Sequence, residues 1–296
     1  MVAAPVIDRL RLAAARIGLP AWFVAIDLLW LAKPEVFAID ARHYQRAASA
    51  WLAGGDPWKV VEGGAGNYAA GPHTLLFYAP TSVLPLEVSA AVWMALGFVA
   101  SLWLVRRLGL PIWWVLFPPL AHAIWNGNPQ TIALALLVLG TPWGAVVAVG
   151  LKLYAALALA TRPRTAVLVG IALLVSLVVL PWQLYLDDGL GVGDHLGTAW
   201  NGSAWRFPIL VVPTLLGLWV LRRQGAEWFA VPAVWPATQF YYVGMALPAI
   251  TDRPILAALL ALPVPLMAPV VVMTLAVLEL RRDPTVLRPT FAMPRT

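Results

Sequence analysis

Val88-Ser-Ala-Ala-Val-Trp-Met-Ala-Leu-Gly-Phe-Val-Ala-Ser-Leu-Trp-Leu-Val105, closed by Arg106-Arg107, is an uncharged run of 18 residues. At 1.5 Å per residue, about 20 such residues cross a hydrocarbon layer, and a pair of arginines marks the end that stays on the cytoplasmic side. Further apolar runs cover Ile17 to Ala32, Leu110 to Trp125, Pro129 to Ala160, Ala166 to Trp182, Pro208 to Leu221, Glu227 to Ile250 and Ile255 to Leu278. The whole chain has the same character. Of its 296 residues, 61% are hydrophobic and 11% charged, and its mean hydropathy is +0.79. A water-facing domain carries about a quarter charged residues, so these charges are too few to cover a solvated surface.

This composition predicts an all-α polytopic integral membrane protein with eight to ten crossings, read as one membrane-embedded unit over 1–296. It excludes a soluble enzyme and a disordered chain. With no cysteine, disulfides, thiolate metal sites and cysteine nucleophiles are excluded too. The net charge of +6 does not point to nucleic acid, because the arginines sit in short clusters between apolar runs.

Arg106/Arg107, Arg162/Arg164, Arg222/Arg223 and Arg281/Arg282 are separated by even numbers of plausible crossings and fit one side. With Arg9, Arg11, Arg16, Arg288 and Arg295 they put 13 of the 20 Lys/Arg inside, both termini included. Two large loops, 33–87 and 183–207, then face outward, with Arg253 assigned to the outer side. Val6 to Ile17 alternates basic and apolar residues and reads as an interfacial helix rather than a signal peptide. The apolar, Pro-rich and Arg-rich character without acidic tails suits a bacterial inner membrane. Tyr68 to Leu86, with Pro72, Pro80 and Pro85, leaves open a dip into the membrane or a crossing. Pro129 to Ala160 is too long for one straight crossing and breaks at Gly140-Thr141-Pro142.

Polar groups that stand against this background are the candidates for chemistry. Asp40 opens a helix in the first outer loop, with Tyr44 on the same face at i+4 and His43 beside it. It reads either as a helix cap or as a general base that takes a proton from a hydroxyl. Lys152 lies within an apolar run and must find an anion, a carbonyl or the headgroups. Arg206 is either a second phosphate ligand or an interfacial anchor. Asp27, inside the first apolar helix, must hydrogen-bond to a neighbour or be protonated. His73 and His122 read as packing histidines, and most of the 16 tryptophans as interface anchors, with Trp51 or Trp58 able to stack on a sugar. The spacing of Asp187, Asp188, Asp194 and His195 fits no metal-binding loop, and no metal or other cofactor is expected.

Asp40, three residues, Tyr44, a small-residue helix and Leu52-Ala-Gly54-Gly55-Asp56-Pro57-Trp58, directly after the first apolar run, resembles the first outer loop of GT-C glycosyltransferases. The branch it resembles most is that of the polyprenol-phosphate-mannose-dependent mannosyltransferases. Phe77-Tyr78-Ala79-Pro80 with Leu84-Pro85-Leu86 is similar to the family's aromatic-Pro-Pro segment, Asn126-Gly-Asn128-Pro-Gln130 to its Gly-Gln-x-Asn turn, and Gly150-Leu-Lys152-Leu-Tyr154 to its lysine-bearing step. Asn201-Gly-Ser203 matches an Asn-x-Ser of the second outer loop. The chain departs from the family in being shorter, in Thr81 where a second proline is usual, and in Gln239-Phe-Tyr-Tyr242 where the family has a late histidine pair.

The resemblance implies a polyprenyl-phosphate sugar donor, a lipid or glycan acceptor, and transfer on the extracytoplasmic side with inversion. Asp40 would be the base. His43, Tyr44, Asn128, Gln130, Asn201, Ser203, Gln239 and Tyr242 would contact substrate, and Lys152 and Arg206 the phosphate. Two other classes stay open: a non-catalytic scaffold of the same architecture, suggested by the short chain and absent histidines, and a lipid or solute transporter, suggested by Asp27, Lys152 and the broken helices.

Overall fold

The computed structural model describes residues 17–29, 32–60, 68–192 and 201–287. Arg9, Arg11 and Arg16 of the expected interfacial helix, Asp194 and His195, and Arg288 and Arg295 lie outside the described residues. The described chain is all-helical, with no strand among the described residues. Its helices are α1 (Ile17–Leu29), α2 (Ile39–Leu52), α3 (His73–Tyr78), α4 (Leu86–Arg107), α5 (Pro118–Trp125), α6 (Gln130–Leu139), α7 (Pro142–Leu151), α8 (Pro163–Val179), α9 (Trp182–Val192), α10 (Val211–Val220), α11 (Ala226–Val234), α12 (Pro254–Leu260) and α13 (Met267–Arg282). Two long 3-10 segments, Leu153–Leu159 and Phe240–Ala249, join them.

Among the described residues only α4 is long and apolar enough to cross a membrane by itself; α8 and α9 reach that length together but bend by 94° at their junction. Its 22 residues span about 33 Å. One face, Ser89, Trp93, Gly97, Ser101 and Leu104, is buried, while Val88, Leu96, Val99 and Trp103 are exposed. The buried face mixes the small or polar Ser89, Gly97 and Ser101 with Trp93 and Leu104, and the residues turned outward are large and apolar. α8 takes this further: only Val169 and Ser176 are buried along it, and Val178 is 86% exposed.

The apolar runs are cut into pieces by local signals. In Pro129 to Ala160, α6 ends at Gly140 with φ +78°, a left-handed conformation that suits glycine. Thr141 then caps α7 by accepting from the Gly144 N–H at 3.1 Å, with Pro142 at the first helical position. α7 returns alongside α6 and stops at Lys152, whose backbone is extended, and Leu153–Leu159 leads on to Arg162, which donates to the Leu137 carbonyl at 3.1 Å. Three short segments thus go to and fro where the apolar run is continuous.

Glu227 to Ile250 behaves likewise, which corrects the reading of that run as one element. α11 rises to Trp235, the chain turns through Pro236 to Gln239, and Phe240–Ala249 packs back beside α11, so that Gly225 faces Ala249. The turn is pinned from outside its own sequence, by hydrogen bonds to Asn201 and Gly202. Arg253 accordingly stands beside Arg282 and Gln224, not on the opposite side where the charge count assigned it.

α2 starts without a side-chain cap. Ala38 occupies the N-cap with φ +53°, and the N–H groups of Ala38, Asp40 and Ala41 donate to the carbonyls of Trp125 and Asn126 at 2.8 to 3.3 Å. Gly127 fits this junction because its φ is +67° and a Cβ there would come within 2.5 Å of that of Ala41. We expect Gly127→Ala to cost about 1–3 kcal/mol, from the left-handed backbone and the clash together, seen as a lowered thermal unfolding midpoint. An unchanged midpoint would mean that α2 is not locked to this turn.

Candidate functional site

One cavity of about 460 Å³ lies where the start of α2, the end of α7 and the turn after α11 converge. Asp40 and Tyr44 enter it from one face of α2, four residues apart, with His43 beside them. Lys152 enters from the end of α7, and Gln239 and Tyr242 from the turn and the segment that follows it. Six sequence-predicted residues therefore share one space.

Asp40 is not the helix cap. Its Oδ2 accepts from Asn128 Nδ2 at 2.7 Å, across 88 positions of sequence, while Asn128 Oδ1 accepts from the Gln130 N–H at 3.0 Å. With its oxygen so used, the amide of Asn128 is turned to donate, and it fixes the carboxylate. Asn128 is 2% exposed and does not itself line the cavity. Gln130 also lies behind the wall: its amide nitrogen donates to the Tyr241 carbonyl and its oxygen accepts from the Tyr154 hydroxyl at 2.8 Å. Both residues position the site rather than face a ligand.

Lys152 is 5% exposed. Its ammonium donates to the Tyr44 hydroxyl and stands 4.8 Å from the Tyr44 ring centre and 5.9 Å from that of Tyr154, close enough for cation–π attraction. No ion pair joins it to Asp40 among the described residues. Tyr44 is itself packed edge-on against Tyr68 and Tyr78, and Tyr78 stacks on Trp93 of α4 at 3.9 Å. Tyr154 packs on Tyr242 at 4.2 Å. The cavity is therefore an aromatic box with a carboxylate and an ammonium set in it.

Asn201, Ser203 and Arg206 do not reach the cavity. Asn201 Oδ1 accepts from the Ser203 N–H, the Ser203 hydroxyl and the Thr238 hydroxyl at 2.8 to 3.1 Å, and its Nδ2 donates to the Pro236 carbonyl. These bonds take up its side chain and hold the turn that carries Gln239. Arg206 is exposed. Trp58 is buried, donates to the Ala70 carbonyl at 3.1 Å, and is not among the cavity residues. The two loops expected to face outward meet through it: Trp58 packs on Tyr185, and Lys59 bridges Asp56 at 3.3 Å and Asp188 at 2.9 Å. Those carboxylates raise the pKa of Lys59, and Lys59 in turn lowers that of Asp188.

The sequence reading missed several wall residues. His122 and Asn126 line the cavity from the end of α5, as do Tyr154, Tyr185, Trp235 and Tyr241. Tyr154 was within reach, two residues beyond Lys152, and Asn126 opens the quoted turn. The others carry no signal in spacing. No family model, curated protein or solved structure matches the chain.

Burial lowers the His43 pKa from its ordinary value of 6.5; Asp40 opposes this shift and Arg46 adds to it. The unfolded chain therefore takes up a proton on His43 at a higher pH than the folded one does. The stability this neutral ring contributes is present above about pH 6.5 and is lost as the pH falls below it. His43→Gln should flatten the drop in unfolding midpoint between pH 7.5 and 5. If the variant and the parent lose stability in parallel, the acid sensitivity arises elsewhere.

Proposed function

We propose that the chain is a polytopic membrane glycosyltransferase of GT-C-like architecture, moving a sugar from a polyprenyl-phosphate donor to an acceptor hydroxyl. The observation that carries this reading is that a fixed carboxylate, Asp40, and a buried ammonium, Lys152, held by a hydroxyl and ring faces rather than by a carboxylate, share one aromatic cavity. Glycosyl transfer from a phosphate needs both. The acceptor oxygen loses its proton to a base as it attacks the anomeric carbon, and the bond from that carbon to the phosphate oxygen breaks, leaving negative charge on the phosphate. Asp40 would take the proton and Lys152 would face the departing phosphate, with attack from the opposite side giving inversion. Tyrosine rings suit the apolar face of a pyranose and their hydroxyls its polar rim.

The membrane setting is supported by the distribution of polarity. Buried positions hold Gln45, Ser89, Ser101, Asn128, Gln130 and Thr214, while Val83, Val178 and Ile209 are 80% exposed or more. Water would reverse that order. Lipid accepts it, and the arginines at one end of the helices fit the cytoplasmic face of a bacterial inner membrane. On this reading the several short helices cross jointly, and the cavity opens toward the outer side, where Arg42 meets Glu87 at 3.0 Å. The donor's polyprenyl tail stays in lipid.

The test is sugar transfer by the purified protein in detergent from labelled polyprenyl-phosphate mannose, glucose or arabinose to a membrane lipid extract. Asp40→Asn keeps the shape and removes the base, so transfer should fall about a hundredfold or more. Lys152→Met keeps the length and removes the charge, and should lower kcat with the phosphate donor. Transfer by no donor would favour the scaffold or transporter, and undiminished transfer by Asp40→Asn would discard Asp40 as the base.

A further inference from the structure

Phe240–Ala249 has the aromatic cavity at one end and Arg253 beyond the other, about 20 Å away for ten residues of 3-10 helix. At that far end a second concavity, of about 450 Å³, opens between the 253–256 segment and α13. Its polar lining is Gln224, Arg253, Glu279 and Arg282; its apolar lining includes Ile255, Leu275 and Leu278. Ile255 is 75% and Leu278 54% exposed.

We propose that this concavity binds an anionic phospholipid with a hydroxyl-bearing headgroup. Arg253 and Arg282 hold its phosphodiester, and an acyl chain lies along Ile255, Leu275 and Leu278. The proposal rests on the membrane setting proposed above but not on the glycosyl-transfer chemistry.

Three features carry it. The fold brings two guanidiniums and one carboxylate, Glu279, to one hollow from separate segments, which leaves it a net positive charge that favours an anion. The planar guanidinium fork matches phosphate oxygens, and a nearby carboxylate does not satisfy either arginine: Asp252 is 3.8 Å from Arg253 and 83% exposed, and no ion pair joins Glu279 to Arg282 among the described residues. The apolar lining continues from the charged groups onto exposed side chains, as a lipid requires and a free phosphate does not. Glu279 and Gln224 add acceptors for headgroup hydroxyls, which phosphatidylglycerol has and phosphatidylcholine lacks. A basic hollow between helices at the cytoplasmic face is the setting in which anionic headgroups bind.

The experiment is native mass spectrometry of the full chain in detergent, titrated with phosphatidylglycerol or with phosphatidylcholine of the same acyl chains. Phosphatidylglycerol should bind at least about fivefold more tightly, and Arg253→Gln and Arg282→Gln should each reduce its binding about fivefold. Arg281→Gln, on the same helix but outside the hollow, should leave it unchanged. Equal binding of the two lipids would overturn the proposal, as would equal loss in Arg281→Gln, which would mean diffuse charge attraction. Displacement of the lipid by millimolar glycerol phosphate would overturn it in favour of a soluble anion. Should a variant not fold, the headgroup preference of the parent protein decides. Reconstitution into phosphatidylcholine vesicles separates the two readings. Resistance to alkaline extraction without headgroup preference removes only this site, whereas release from the vesicles removes the membrane setting and the site with it.

Discussion

Everything at the cavity depends on how α2 begins. A helix leaves its first N–H groups without intrahelical partners, and Ala38 at the N-cap has no side chain to accept from them. The chain satisfies them with main-chain carbonyls of Trp125 and Asn126, which ties α2 to the turn after α5 rather than to its own flank. That bond set requires the two backbones to come close, hence the left-handed Gly127 against Ala41. It also fixes Asp40 opposite Asn128. The carboxylate is in place because the helix start is.

The other wall is set by Lys152. A buried ammonium costs several kcal/mol unless it finds partners, and here they are the Tyr44 hydroxyl and two ring faces rather than a carboxylate. Tyr44 sits one helical turn from Asp40, so one rigid helix carries both the carboxylate and the group that holds the ammonium. Behind these residues Asn128, Gln130 and Asn201 are buried with their side-chain polar atoms paired. A fully satisfied network of this kind rigidifies what stands in front of it, and it holds Asp40 and Lys152 in the wall of a cavity that Lys33 also lines.

The sequence made the charged members of this site legible and left its frame obscure. Asp40 and Lys152 stand out because a charge in an apolar context needs a reason. The division of Pro129 to Ala160 was visible at Gly140-Thr141-Pro142, where glycine, a cap and a proline coincide. The hairpin within Glu227 to Ile250 was not, since an apolar run reads alike whether it continues or doubles back. The turn at Pro236 is held by Asn201, 35 residues earlier in the chain. Arg253, counted on the side opposite Arg282, lies beside it for the same reason. Asn201 and Gln130 were read as substrate contacts, whereas both lie off the cavity wall, bonded to main-chain carbonyls and to the hydroxyls of Ser203, Thr238 and Tyr154 that no spacing rule reveals.

Short helices with apolar exteriors change what holds the molecule together. If lipid surrounds the fold, burying a leucine gains little, because the tails outside are as apolar as the core, and close contact between backbones has to supply the difference. The glycines are placed accordingly: a Cβ at Gly150 would come within 2.7 Å of the Phe77 ring, at Gly127 within 2.5 Å of Ala41, and at Gly217 within 3.0 Å of Val272. Two of these three contacts also shape the cavity. Gly150 lets α3 lie against α7 two residues before Lys152, and Gly127 lets α2 lie against the turn that holds Asp40. The packing that replaces the hydrophobic effect is thus the packing that positions the two charges, so substitutions at either glycine reach the site through the backbone.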